Sequence, residues 1–317
     1  MLNKVTQQLK NKDSEFNLLG DILETLRFKG NIFFQSKLAA PWGMSMGQSI
    51  NPRFHISLNG DFFIGVNQDE KNAHKISHMD IVILPSGAEH WIADQQGSKL
   101  TSSESAGKAC ELGSPLFQKG EITNKVICGI VKFDKEIAHP VLNSLPSILH
   151  FSKLEFDDPI WMIVMVIEAE MKASKTHLTP IIDRLSEVLF LQLIQRHIKS
   201  HPEEIGFLGA LSDPKIRRSL ELIHQSPEYE WTLDELSQQV AMSRATFSRQ
   251  FKHFVGDSPI VYLTKWRMIK AYDLLKHSNQ SLEQISELVG FTSSKTLAKA
   301  FQKHFGATPK EFRGSNQ

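Results

Sequence analysis

Lys295, Lys299 and Lys303 recur at i, i+4 and i+8 and would form one basic stripe on a helix. About 50 residues earlier, Arg244, Arg249 and Lys252 make a second, less regular basic set. On a duplex such side chains do two kinds of chemistry: they pair with phosphate oxygens, and they reach guanine O6 and N7 in the major groove. A different set stands in the first half of the chain. His55 and His90, with Cys128, offer two imidazoles and a thiol, donors suited to a soft or borderline metal. Each set has a plainer reading. A single Lys on a helix is most often a solvated side chain lying along apolar surface, and a core histidine is most often simply hydrogen-bonded. The elements that carry these residues decide between the readings.

The basic sets belong to two copies of one pattern. Thr232-Leu-Asp-Glu-Leu-Ser-Gln-Gln-Val-Ala-Met-Ser243 aligns with Ser281-Leu-Glu-Gln-Ile-Ser-Glu-Leu-Val-Gly-Phe-Thr292 at an offset of 49 residues. Phe247-Ser-Arg-Gln-Phe251 then aligns with Leu297-Ala-Lys-Ala-Phe301, and Gly256-Asp-Ser-Pro259 with Gly306-Ala-Thr-Pro309, at an offset of 50. Each copy predicts a helix, a tight turn and a second helix. Thr232 with Glu235, and Ser281 with Gln284, have the spacing of a capping box. Leu233, Leu236 and Val240 share one helical face, as do Leu282, Ile285 and Val289. Ala241 and Gly290 fall at the turns, where a small residue relieves crowding. Ser243 is placed to cap the second helix of the first copy, and Thr292 or Ser293 that of the second. These helices are expected to bury Phe247, Phe251 and Phe254, and Leu297, Phe301 and Phe305, and to turn their basic residues outward. Between the copies, Ser258-Pro259 starts a helix that runs to about His277. About 20 residues span roughly 30 Å, close to the roughly 34 Å between successive major-groove faces of B-DNA. The pattern is that of two reading heads on a rigid spacer.

Residues from about Lys215 to Arg313, including the ending Gly306-Ala-Thr-Pro-Lys-Glu-Phe-Arg313, resemble the DNA-binding domain of AraC/XylS-type transcription regulators. The resemblance implies that the second helix of each motif enters the groove, here Arg244 to Phe254 and Ser294 to Phe305. By motif position it assigns Arg244, Ala245, Ser248 and Arg249 to DNA in the first head, and Lys295, Thr296 and Lys299 in the second. Many relatives have an aromatic-Ser-Arg sequence where this chain has Leu297-Ala298-Lys299. Lys lacks the planar fork of Arg, so the second head is expected to hold phosphate more than to read bases.

A chain of 317 residues, 41% hydrophobic, has room for about two domains with real cores. The net charge of +1 hides a split: from Ser212 onward there are 15 Lys and Arg against 11 Asp and Glu, and in the remainder 21 against 24. The basic excess sits with the repeat, and its modest size predicts salt-sensitive DNA binding. The polar start Met1–Lys10 has no secretory apolar core. The longest apolar run, Pro159–Ile167, is far short of the roughly 20 residues of a membrane span. Two cysteines, Cys110 and Cys128, suggest a reducing compartment rather than a disulfide framework. A cytoplasmic protein with no membrane partner is expected.

The first half predicts short strands at 54–58, 62–66, 81–84 and 126–133, with turns at Asn59-Gly60-Asp61 and Pro85-Ser86-Gly87. Asp80-Ile-Val-Ile-Leu-Pro-Ser-Gly-Ala-Glu-His90 resembles the second motif of the cupin β-barrel, in which a strand enters a Pro-x-Gly corner and returns with an inward His. The wider segment from Pro41-Trp-Gly43 to Asp94 resembles the cupin-like effector domain found ahead of AraC-type DNA-binding domains. A Gly is usual where Met79 stands, which is expected to alter the turn. Cupin metalloenzymes usually bring a His-x-His pair and a carboxylate from their first motif, whereas the corresponding strand here offers only His55. His90 is the second candidate, with Cys128 from Val126-Ile-Cys-Gly129. The set could hold a metal or a small-molecule effector, or be hydrogen-bonded barrel residues. His74 and His78 read as surface histidines, and Cys128 alone as a small buried hydrophobe. Asp158-Pro159 starts a helix to about Lys172, and Thr179-Pro180 another to about Ile198. Their apolar surface exceeds what a linker needs and suits both packing on the barrel and a dimer interface. His201-Pro-Glu-Glu204 and Leu211-Ser-Asp-Pro214 read as a short joint.

The resulting expectation is an α+β chain: a cupin-like effector-sensing β-barrel over residues 1–150, a helical linker and dimerisation region over 151–211, and an all-α AraC-type DNA-binding domain with two helix-turn-helix motifs over 212–317. It is expected to be a sequence-specific, effector-responsive transcription regulator and not an enzyme. Its expected partners are double-stranded DNA, a second copy of itself, a small-molecule effector and, if it activates, RNA polymerase. No cofactor is fixed beyond a metal or small-molecule effector in the barrel. The competing reading is a cupin-type metal-dependent enzyme, or a metal or redox sensor, with an attached DNA-binding domain.

Overall fold

A computed structural model describes residues 17–25, 27, 29–67, 72–112, 115–133, 139–173, 180–201 and 206–314. Contacts divide the chain into two compact units. One comprises Phe28–Phe133 and Leu145–His197, the other Met1–Arg27, Asp134–Ser144 and Ile198–Gln317.

The first unit is a sandwich of two five-stranded sheets. One is ordered β1 (Lys29–Ala39), β9 (Ile122–Lys132), β3 (Arg53–Asn59), β6 (Ile81–Leu84), β10 (Leu149–Phe151). The other is ordered β5 (His74–Ile76), β4 (Phe62–Val66), β7 (His90–Ala93), β2 (Gly43–Met46), β8 (Thr101–Ser102). The pairings are antiparallel except for β2 with β8. Alternation along β3 sends Arg53, His55 and Ser57 to one face, and the register sets His55 opposite Cys128 of β9. The core between the sheets is built on Leu38, Trp42, Met44, Phe62, Val82 and Ile92.

The Pro-x-Gly corner forms as expected. Gly87 has φ +60°, and a Cβ there would collide with the carbonyl oxygens of Ser49 and Asn51. The expectation that Met79 alters the neighbouring turn is corrected: Met79 itself takes the left-handed conformation, φ +69°. Its N–H bonds Ser57 O at 3.0 Å. Next to it the buried Asp80 carboxylate accepts from Ser77 N at 2.9 Å and Lys153 N at 3.2 Å, and pairs with His150 Nε2 at 2.9 Å. These anchors hold a shape that Met alone disfavours.

Helix α2 (Ser103–Glu111) lies along β2 and β8; the side chain of Cys110 is outside the described residues. Helices α4 (Pro159–Ala173) and α5 (Pro180–Ser200) follow, with Thr179 outside the described residues. α4 buries Ile160, Trp161, Val164, Ile167 and Met171. Lys125 of β9 pairs with its Glu168, and Arg196 of α5 forks onto Asp158 at 2.6 and 2.9 Å. The opposite face of α4 leaves Met162, Met165 and Val166 exposed, at i, i+3 and i+4.

The second unit is helical: α1 (Leu18–Thr25), α3 (Pro140–Asn143), α6 (Phe207–Ser212), α7 (Pro214–Gln225), α8 (Leu233–Gln239), α9 (Arg244–Val255), α10 (Pro259–His277), α11 (Leu282–Leu288), α12 (Ser294–Phe305) and α13 (Pro309–Gly314). It does not coincide with the contiguous division at 150 and 211. α1 joins it by burying Leu18, Leu19, Ile22 and Leu23, and by Asp21, which meets His224 at 2.7 Å and Lys270 at 2.9 Å. The joint expected at Leu211–Pro214 is a capped helix corner. Leu211 is buried, and Asp213 Oδ1 accepts from Lys215 N and Ile216 N, both at 2.9 Å. The other half of that joint, 202–205, lies outside the described residues.

A fragment cut at Ser212 therefore loses the buried Phe207, Leu208 and Leu211. At about 1.5–3 kcal/mol per fully buried large apolar side chain, this exceeds what a marginal domain can spare. A fragment 198–317 is expected to melt more than about 10 °C above 212–317. Equal melting temperatures by circular dichroism would show that α6 adds nothing to this unit.

Candidate functional site

Both capping boxes are closed. Thr232 Oγ1 accepts from Glu235 N at 3.1 Å while Glu235 Oε2 accepts from Thr232 N at 3.0 Å. Ser281 and Gln284 repeat this at 3.2 and 2.8 Å. Ser243 caps α9 and Ser293, rather than Thr292, caps α12, each accepting from a threonine N–H at 3.2 Å. The spacer α10 starts at Pro259 with Ser258 at the cap position, but the Ser258 side chain makes no cap bond. Its 19 residues span about 28 Å, and it packs against α9, α11, α12 and α13.

The turns before the two outward helices differ. Ala241 has φ +50° and is exposed, so it tolerates a left-handed backbone with its methyl in solvent. Gly290 has φ +73°, and a Cβ there would stand 2.6 Å from Glu228 O and 2.7 Å from Arg267 Nη2. Arg267 cannot easily yield, since its Nε donates to Pro227 O at 2.6 Å and its Nη2 to Tyr229 O at 2.8 Å. Gly290→Ala is thus expected to cost about 2 kcal/mol or more from backbone strain and crowding together. Ala241→Gly should stay within about 1 kcal/mol of neutral. Urea unfolding of the two variants measures both.

On α9, Phe247, Phe251 and Val255 are buried and Phe254 is half-buried, so Val255 takes the core place expected of Phe254. On α12, Leu297 and Phe301 are buried and Phe305 half-buried. The opposite faces carry the expected residues. Arg244, Ala245, Arg249, Lys252, Lys295, Thr296, Lys299 and Lys303 are exposed, and Ser248 is half-buried. Helix register makes Lys299 the counterpart of Arg249, whereas Arg244 is matched by Ser294 and Lys295 by Ala245. Arg244 Nε is tied to Asp234 Oδ1 at 2.7 Å. Arg249 makes no hydrogen bond or ion pair among the described residues, so its fork is free.

Behind the heads runs a buried polar chain that sequence patterning did not reveal. Val141 N donates to His139 Nδ1 at 3.2 Å, which fixes the proton on Nε2. His139 Nε2 then donates to Tyr262 Oη at 3.1 Å, Tyr262 Oη to His224 Nε2 at 2.8 Å, and His224 Nδ1 to Asp21 Oδ2 at 2.7 Å. Four segments far apart in sequence are thereby ordered in one direction. Burial holds His139 well below its usual range, and burial likewise lowers His224 despite Asp21. No local spacing marks such a set.

In the barrel, His55, His90 and Cys128 do come together, but as a line. His90 Nδ1 donates to Ala88 O at 2.7 Å, so its Nε2 accepts; His55 Nε2 donates to it at 2.9 Å; and Cys128 Sγ–H donates to His55 Nδ1 at 3.0 Å. Burial, then the electrostatic influence of His90 and Arg53, keeps His55 well below its ordinary pKa. Burial lowers His90 to about 4 and pushes the Cys128 thiol up to about 12. The chain is neutral, and the thiol is no ready nucleophile. A metal needs donors converging on one point. Cys128 engages the nitrogen of His55 opposite the one that faces His90, and no cluster of three or more His, Cys, Asp or Glu suited to a metal occurs among the described residues. Of the readings open for His55, His90 and Cys128, this geometry is that of hydrogen-bonded barrel residues. His74 and His78 are exposed as expected, His78 lying edge-on to Trp161.

Cys128 and His55 border a cavity of about 460 Å3, lined also by Leu38, Met44, Met46, Ile92, Phe117 and Arg53. Arg53 was not among the expected site residues. Its signal was available, since two residues before His55 on a strand means the same face.

A sheet sandwich with a cavity, carried in one chain with two helix-turn-helix motifs that expose basic second helices, defines a DNA-binding regulator with a separate N-terminal β domain. Residues 17–199 match the cupin family and residues 236–315 the helix-turn-helix domain. The chain is 30% identical over 306 residues to the HTH-type transcriptional regulator AlkR of Acinetobacter baylyi, covering 93% of this chain and 98% of that protein. It is 27% identical over 310 residues to an HTH-type transcriptional regulator of Haemophilus influenzae, covering 94% and 98%. An AraC-like transcription regulator of Streptomyces antibioticus is 27% identical over 190 residues, 59% of this chain and 63% of that protein. The chain belongs to the AraC-type transcription regulators with an N-terminal cupin domain, and it binds DNA through its C-terminal helix-turn-helix domain. No helix among the described residues is long and apolar enough to cross a membrane.

Proposed function

We propose that this regulator reads two successive major-groove segments with unequal heads. α9 supplies base readout through Arg249, with Arg244, Ala245 and Ser248 beside it and Lys252 on phosphate. α12 supplies mainly phosphate contacts through Lys295, Lys299 and Lys303, with Thr296 at its start. The observation that carries this reading is the pair of matched helices, each with an apolar face buried and a basic face exposed. The cupin domain acts as a cytoplasmic effector sensor rather than an enzyme. The supporting observation is its cavity beside a His55–His90–Cys128 chain whose hydrogen bonds are spent on one another and on Ala88 O. The exposed Met162, Met165 and Val166 of α4 are the proposed meeting face of a homodimer, and RNA polymerase is the further partner if the protein activates.

Footprinting on the promoter beside its own gene, with and without cell extract, tests the reading. A protected site containing two contacts about one helical turn apart, altered by extract, is the expected result. Equal affinity for that promoter and for random DNA would leave only a non-selective DNA-coating protein.

A further inference from the structure

The polar groups of the barrel cavity are unequally committed. His55, His90 and Cys128 spend their hydrogen bonds on one another and on Ala88 O. Arg53 lies on the same strand face as His55 and lines the same cavity, and its side chain makes no hydrogen bond or ion pair among the described residues. It is half-buried, and its charge is felt at His55, His90 and Cys128, which are neutral and cannot balance it. A guanidinium partly removed from water with no carboxylate paired to it among the described residues gains from the arrival of an anion. Its planar fork matches a carboxylate with two parallel hydrogen bonds.

The rest of the wall sets the body of the ligand. Leu38, Met44, Met46, Ile92, Leu116 and Phe117 line the cavity and offer dispersion and desolvation but no hydrogen bonds. Two hydroxyls, of Ser36 and Ser103, also line it, fewer than a sugar would need to replace its lost hydration. The volume of about 460 Å3 falls within the usual range for ligand pockets and corresponds to about fifteen water volumes at about 30 Å3 each. Glu104, exposed on α2, also borders the cavity and would repel a second negative charge.

We propose that the barrel cavity receives a small amphipathic monocarboxylate of about ten to fifteen non-hydrogen atoms, its carboxylate on Arg53 and its apolar body among Met44, Met46, Ile92 and Phe117. The inference rests on the sensing role proposed for the cupin domain and names the chemistry of its ligand. The methionines suit a range of body shapes, since the unbranched thioether adapts to irregular surfaces.

The test is calorimetric titration of the full chain with octanoate and 3-phenylpropanoate, and with the uncharged analogues 1-octanol and 3-phenylpropan-1-ol. Each acid is expected to bind at least about tenfold more tightly than its alcohol, the discrimination of one charge-assisted pair. Arg53→Gln should bring the acids down to the alcohols, and Arg53→Lys should restore part of the difference. Acids and alcohols binding alike, no binding by any of the four, or acid binding unchanged in Arg53→Gln would overturn the proposal. If Arg53→Gln does not fold, the acid–alcohol comparison in the unaltered protein still decides. DNA titration of the same preparations separates the two readings. Selective DNA binding that is altered by cell extract but not by the acids rejects the carboxylate while leaving the regulator and its sensing role intact.

Discussion

Arg249→Ala is expected to cost about 1–3 kcal/mol on the cognate site and to flatten base preference at one or two positions. On the cognate site that is roughly a 5- to 150-fold loss, with little change on random DNA. The size follows from the position. Phe247 and Phe251, two residues to either side, are both fully buried, so the helix turn that carries Arg249 cannot rotate away. Its guanidinium is exposed and uncommitted, ready for a bidentate contact with guanine. Arg244 is less favourably placed, because its ion pair with Asp234 must first open, although an exposed pair resists by no more than about 1 kcal/mol. Lys299 holds the equivalent place on α12 but carries a point charge on a flexible stem. Lys299→Ala should therefore weaken cognate and random DNA alike and reduce the salt slope by about one unit. Titrations of the purified protein at several salt concentrations measure both. If Arg249→Ala keeps the preference for cognate over random DNA, α9 is not the specific reader.

The helical half was legible because its rules are local. A capping box, a small residue at a turn and an apolar face at period 3.6 each lie within a dozen residues, and two copies of the pattern checked one another. The sandwich was less legible. Strands β3, β4 and β6 carry dense apolar or alternating runs, whereas β5, His74–Ile76, and β8, Thr101–Ser102, are too short and polar to stand out. Sheet neighbours such as β1 and β9 are set by pairing across about ninety residues, which no window sees. The same limit hid the assignment of α1 and residues 139–144 to the helical unit. Their place depends on Asp21, His139, His224 and Tyr262 meeting in space. In the β domain, strand period and the cupin-like corner pointed to His55 and His90, which do meet in the structure, and only the side-chain geometry could tell a hydrogen-bonded line from a converging metal set.

That buried polar chain makes the helical unit acid-sensitive. His139 and His224 are neutral in the fold because burial lowers their affinity for protons. His139 faces Tyr262, Phe207, Trp266 and His224, with no carboxylate in hydrogen-bond reach. His224 faces Tyr262, Trp266 and the Asp21 carboxylate, and Lys270 also lies on Asp21. In the unfolded chain both imidazoles return to the ordinary value of 6.5. Below that value the unfolded state binds protons that the folded state does not, so stability falls as pH falls. Above it both states are neutral and the penalty vanishes. At 1.36 kcal/mol per proton per pH unit, each histidine that stays neutral costs about 2 kcal/mol by pH 5. His139 alone should contribute about that much, and the pair up to about 4 kcal/mol. Asp21, whose carboxyl is lowered by His224 and Lys270 against the opposing effect of burial, adds loss of the same sign once the pH nears the ordinary carboxylate range. Urea unfolding followed by circular dichroism at pH 7, 6 and 5 should show the midpoint of the helical transition dropping steeply between 6.5 and 5. His139→Phe, which removes one titrating group, should flatten that drop by roughly half. A midpoint independent of pH across this window would mean that the two imidazoles take up protons in the folded state, and that the chain from Val141 to Asp21 is not the neutral, one-directional line inferred from its donors.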